Sequence, residues 1–181
     1  MEDASTTSDT LALYRELREQ GHANVGIVLQ SRLRRTLADI AELAGLRPNV
    51  RVCKGIYLEP PDVAYQEFEI IREHFVDCVE AVLDAGGYVA VATHDEWLIE
   101  QAERIVAERG LAREEYEFQM LLGVRERLGD ELVARGHRLR VYVPFGRRWY
   151  EYSLRRLQEN PSIAGHVARD TVTRLLARNG R

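Results

Sequence analysis

Short apolar runs recur along the chain at lengths that suit strands: NVGIVLQ from Asn24, VRVCKG from Val50, YVAVAT from Tyr88, YEFQML from Tyr116 and LRVYV from Leu139. Each is nearly continuous in Val, Ile, Leu and aromatic residues, the pattern of parallel strands covered on both faces. Between them, SRLRRTLADIAELAGL, YQEFEIIREHFVDCVEAVLDAGG, EWLIEQAERIVAERG and VRERLGDELVARG repeat their apolar positions at helical spacing. Gly45, Gly86, Gly110 and Gly136 stand where a helix ends on a left-handed residue. TLALYRELREQG opens the series as a helix, and WYEYSLRRLQEN and IAGHVARDTVTRLLARNG close it as a pair. Strands alternating with helices predict an α/β fold on a parallel sheet, with residues 1–181 forming one domain.

Such a series builds either an open doubly wound sheet or a (β/α)8 barrel. The glycine signatures of nucleotide-binding open sheets, GxGxxG and GxxxxGK[ST], do not occur. Polar residues gather instead where strands end, at Gln30, Lys54, Thr93 with His94, and Gln119. Barrel enzymes place their chemistry at those ends, and a whole barrel takes about 250 residues and eight strands. Five strands therefore suggest an incomplete (β/α)8 TIM-like barrel.

Composition narrows the function. With 45% hydrophobic and 30% charged residues the chain can bury a core. Its formal charge of -4 argues against a nucleic-acid partner, which needs a basic stripe. The acidic start MEDASTTSDT is unlike a targeting peptide, and no apolar run approaches the roughly 20 residues that cross a bilayer, so a cytoplasmic location is expected. Cys53 and Cys78 are too few for a disulfide framework or zinc cluster, and the scattered histidines argue against a metal site.

Three constellations could carry chemistry. Arg51 and Lys54 lie on one strand that ends in Gly55, and buried cations are costly unless an anion meets them. An anionic ligand could be that partner; equally, Lys54 could snorkel while Gly55 serves only the turn. Thr93, His94 and Asp95 follow the third strand, and Asp95 suits a helix N-cap, with a hydroxyl and an imidazole left to meet a ligand. Near the C-terminus, Trp149, Tyr152 and Arg156 share a helical face, and Arg155 and Glu159 stand four apart. Arginine is suited to a bidentate grip on a carboxylate, but a solvated charged face fits the same pattern. HExxH, CxxC and GxSxG are absent.

Taken together and in order, VLQSRLRRT, RVCKGIYLE, VATHD, EFQMLLGVR and VYVPFGRRWYEYSLRRLQENP resemble the motif set of the proline dehydrogenase family, from Met1 to about Val167. The resemblance implies a distorted (β/α)8 TIM-like barrel that holds FAD and oxidises L-proline to pyrroline-5-carboxylate, with this chain as its C-terminal part and the N-terminal strands missing. It implies that Arg51 hydrogen-bonds near the reactive flavin nitrogen as the catalytic residue. Met1, Gln30, Lys54, Gly55, Ile56, Thr93 and His94 would hold the cofactor, with Gln119 and Glu159 in support. Arg155 and Arg156 would grip the proline carboxylate, while Tyr57, Leu121, Tyr142 and Tyr152 would wall the pocket.

The family also carries, earlier in its sequence, a lysine near the substrate and an aspartate immediately before the position of Met1; this chain has neither, so Met1 resembles an internal methionine. The expectations are impaired activity as given and self-association through open sheet edges. The family suggests a quinone as electron acceptor, hence transient contact with the inner face of a membrane, and a separate pyrroline-5-carboxylate dehydrogenase downstream. Two rivals remain: a Schiff-base aldolase using Lys54 as nucleophile, and a vestigial or partner-dependent half-barrel without flavin.

Overall fold

The computed structural model describes residues 3–147. Met1, Tyr152, Arg155, Arg156 and Glu159, and the expected closing helix pair, lie outside the described residues. All five expected strands are present: β1 (Ile27–Gln30), β2 (Asn49–Cys53), β3 (Tyr88–Ala92), β4 (Tyr116–Leu121) and β5 (Leu139–Tyr142). They form one sheet in the order β1-β2-β3-β4-β5. β1 pairs with β2 and β2 with β3, both parallel. Each strand thus lies beside its sequence neighbour. That sequential winding is an arc of a (β/α)8 barrel; a doubly wound sheet would reverse its order at a switch point.

Helices α1 (Thr7–Glu19), α2 (Thr36–Leu43), α3 (Phe68–Asp84), α4 (Glu96–Glu108) and α5 (Glu126–Ala134) complete the series. Gly21, Gly86, Gly110 and Gly136 all adopt positive φ just after a helix, as a left-handed C-terminal stop requires. Gly45 does not. The chain tightens into a 3₁₀ turn over Ala44–Leu46, and Arg47 takes the left-handed conformation instead, at φ 46°. α2 also begins later than its periodic pattern. Ser31–Arg35 is drawn into the loop that follows β1, where Arg34 N donates to Val63 O and Tyr65 N to Arg32 O.

The contacts divide the chain into two compact units at the middle of β4, residues 1–118 and 119–181. In the first, the register puts Ile27, Val50 and Val89 in one row and Leu29, Val52 and Val91 in another. All six are buried, and α3 packs against β2 and β3 on this side. Phe75, Val79 and Val82 of α3 and Leu98 and Ile99 of α4 join the core. Alternation sends Val28, Gln30, Arg51, Cys53, Ala90 and Ala92 to the opposite face. β2 accordingly alternates between buried and half-buried residues, while Gln30 and Ala90 on the second face are buried, so that face is covered unevenly.

In the described part of the second unit, β5 adds to β4 through Leu122 N donating to Tyr142 O at 3.0 Å. Gly129 of α5 is buried against Leu139 and Met120: a Cβ there would lie 3.1 Å from one and 3.6 Å from the other. Among the described residues, no helix is long and apolar enough to cross a membrane.

The two faces of β1 should answer differently to truncation. Leu29, 1% exposed, faces the helices, and Leu29→Ala should cost about 2–5 kcal/mol. Val28→Ala, on the half-buried face, should cost less. Urea unfolding measures both, and equal losses would contradict the assigned faces.

Candidate functional site

β1 and β2 do not stop at their last ladder residue. Ser31 N donates to Cys53 O at 2.8 Å and Arg32 N to Lys54 O at 2.9 Å, so the two strand ends stay in register into their loops. Thr36, at the start of α2, donates its hydroxyl to Gln30 O at 2.6 Å. His74 of α3 places Nδ1 2.6 Å from Ser31 O, with its ring edge-on to Tyr65. Gln30 therefore stands on fixed backbone, and its side chain is only 5% exposed.

Gly55 lies against it. Its φ is +87°, a left-handed value, and a Cβ built there would overlap the Gln30 amide oxygen. Both the turn and the close approach require glycine, which answers whether Gly55 served the turn alone. Arg51 lies two positions before Cys53 on the same face of β2, and the Cys53 thiol donates to Leu29 O at 3.7 Å. Burial raises the Cys53 pKa, and the Arg51 charge opposes that rise only in part.

Lys54 does not wait unpartnered for a ligand. Its Nζ lies 2.8 Å from Asp95 Oδ2. Arg72 of α3 holds the same carboxylate by a fork, Nε to Oδ2 at 2.8 Å and Nη2 to Oδ1 at 2.7 Å. Asp95 occupies the N-cap position of α4 as expected, but its side chain makes no capping bond. The Thr93 hydroxyl accepts from Asp95 N at 3.1 Å, and the carboxylate is drawn to the cations. Burial pushes the Asp95 carboxyl up, but the hydrogen bonds from Arg72 and Lys54 and their charges outweigh it, and the pKa falls to about 2. Phe68 lies beneath both cations, 4.9 Å from Lys54 Nζ and 4.4 Å from the Arg72 guanidinium, and Trp97 flanks Arg72 at 5.4 Å.

The first unit thus brings Gln30, Arg51, Lys54, Gly55, Thr93 and His94 to the carboxyl ends of three neighbouring strands. Thr93 is buried; Ile56, Tyr57 and His94 are half-buried. In the second unit Gln119 and Leu121 are half-buried on β4, while Tyr142 of β5 is 52% exposed. Sequence reasoning missed Arg72. Its only local signal is an i,i+4 spacing from Phe68, and nothing along the chain ties it to a carboxylate 23 positions away. The glycine cradle, the hydroxyl and two cations sharing one carboxylate fit a cofactor that bears phosphate.

These features define a singly wound α/β protein with Lys54 and Arg72 paired to Asp95 beyond its strand ends. The chain belongs to the proline dehydrogenase family, whose model matches residues 1–169. It is 46% identical over 168 residues to a proline dehydrogenase of Deinococcus radiodurans, covering 92% of this chain and 54% of that protein. Against proline dehydrogenase 1 of Bacillus subtilis it is 39% identical over 167 residues, covering 92% and 55%. The chain therefore spans about half the length of these relatives. Among solved structures, it is similar to proline utilization A (PutA) from Bdellovibrio bacteriovorus inactivated by N-propargylglycine: TM-score 0.80, 27% identity, 88% of this chain and 19% of that one. The PutA of Corynebacterium freiburgense shares the fold at TM-score 0.75 and 23% identity, over 96% of this chain and 21% of that one.

Two outcomes follow from this geometry. Gly55→Ala should destabilise by at least about 1–2 kcal/mol from the left-handed backbone alone, more once Gln30 is displaced. Gly45→Ala, whose Cβ would meet nothing within 4 Å, should cost far less. Denaturant midpoints compare them, and equal effects would remove the cradle. For Asp95, a folded pKa of about 2 against 3.8 means stability that is complete above about pH 4 and lost as pH falls through 2. The stability gap between the wild type and Asp95→Asn should shrink over that window. A gap constant from pH 5 to 2 would contradict the ion pairs.

Proposed function

We propose that this chain forms part of the flavin and substrate sites of an FAD-dependent proline dehydrogenase, which oxidises L-proline to pyrroline-5-carboxylate. The observation that carries this reading is the cradle of Gly55 against Gln30 beside Lys54, at the strand ends where the family's motifs fall. FAD, when bound, supplies the acceptor for two electrons. Gln30, Lys54, Gly55, Ile56, Thr93 and His94 would hold it, with Met1, Gln119 and Glu159 in support. Arg51 would donate an N–H toward the reactive flavin nitrogen from the strand face it shares with Gln30.

The rest of the task is positioning. Arg155 and Arg156 would grip the proline carboxylate, while Tyr57, Leu121, Tyr142 and Tyr152 would fit the ring and exclude water. A bidentate grip together with shape holds the reacting carbon where it must be. Electrons would leave to a quinone met transiently at a membrane surface, and the product would pass to a separate pyrroline-5-carboxylate dehydrogenase. A cytoplasmic location suits both. The aldolase reading loses ground, because the chain belongs to the proline dehydrogenase family.

The test combines colour with turnover. Residues 1–181 should bind FAD and show a flavin spectrum; proline-dependent reduction of an artificial acceptor should be weak in this chain and strong in a version extended to the relatives' length. In the extended form, Arg155→Ala or Arg156→Ala should raise the proline KM about ten- to a hundredfold, the loss of a charged hydrogen bond. A chain that stays colourless in excess FAD would overturn the flavin reading and favour a vestigial half-barrel. Unchanged proline kinetics in both variants would return the arginines to a solvated surface.

A further inference from the structure

Asp95 carries two cations on one carboxylate. Arg72 takes Oδ1 and one side of Oδ2 through its planar fork, which fixes the plane of the carboxylate. With that plane fixed, Lys54 meets a second lone pair of Oδ2, at 2.8 Å. An ammonium has three N–H donors, and Asp95 accepts one of them. Glu69 reaches Arg72 Nη1 at 3.5 Å, but its side chain is 73% exposed and water screens the pair. Lys54 and Arg72 against Asp95 therefore leave a surplus of positive charge.

That surplus sits where anions are already favoured. Asp95 occupies the N-cap of α4, 13 residues long, and Arg72 stands in the first turns of α3, 17 residues long. Both helix N-termini add partial positive charge at the end of the sheet that holds Gln30, Gly55 and Thr93. Lys54 with Asp95 alone would be a neutral pair with little pull on phosphate. Lys54 with Arg72 alone would be two repelling cations.

We infer that Arg72 is a positioning residue: by clamping Asp95 it aims the Lys54 ammonium, and by its own charge it leaves this strand end positive enough to take the diphosphate of the cofactor. The inference rests on the flavin reading above, and three probes separate the two: FAD, riboflavin, which lacks phosphate, and inorganic pyrophosphate. In the full chain, Arg72→Met should weaken FAD binding about ten- to a hundredfold, as expected for a lost charged interaction, and leave riboflavin binding little changed. Arg72→Lys restores charge without the fork, should fall between the two, and serves alone if Arg72→Met does not fold. Pyrophosphate should raise the thermal midpoint of the wild type more than that of either variant, with less effect at high salt. Equal loss of FAD and riboflavin would mean a general disturbance and would overturn the inference. So would Arg72→Lys binding FAD as tightly as the wild type, or a wild type that binds FAD but does not respond to pyrophosphate. An Arg72-dependent response to pyrophosphate without FAD binding would sustain the anion site and overturn the flavin reading instead.

Discussion

The carboxylate of Asp95 is the point on which the strand ends depend. It lies between the loop after β2, which carries Lys54, and α3, which carries Arg72, and it opens α4. A single side chain thus joins three segments that the sheet ladder does not hold. With 8% of its side chain exposed, Asp95 must remain paired to stay buried, and removing either cation would leave a charge poorly compensated. Phe68 and Trp97 cover the cations and reduce the water around them.

Around that point the fold arranges stiffness and charge separately. Stiffness comes from β1 and β2, whose register persists past the last strand residue and whose loops are tied to α2 through Thr36 and to α3 through His74. Charge comes from Arg51 on the less buried face of the sheet, and from Lys54 just past β2 and Arg72 of α3. The helix-facing rows contain only Ile, Leu and Val and supply burial without polar demands. This division lets the strand ends vary in chemistry while the core stays apolar.

Much of this was legible along the chain. All five strands and the helices between them follow from apolar periodicity, and the left-handed glycines after α3, α4 and α5 follow from glycine's freedom at positive φ. The gathering of Gln30, Lys54, Thr93 and His94 was legible too, because parallel strands joined by helices bring all their carboxyl ends to one side. Gly45 misled, since a short 3₁₀ turn passed the left-handed residue on to Arg47, and no local preference foretells that.

The sequence by itself determined the alternation of strands and helices and the family to which the chain belongs, because these depend on periodicity and ordered motifs within short windows. Only the tertiary structure decided the face each strand buries, the partner of Lys54 and the place of Arg72. Asp95 reads locally as a helix cap; its carboxylate turns away because two cations from segments 23 and 41 positions distant offer stronger partners than a backbone N–H. Gly55 likewise reads as a turn, and only the approach of Gln30 from the neighbouring strand shows that a side chain there has no room. Long-range pairing depends on which segments the sheet brings together, and that is a property of the fold and not of any window of residues.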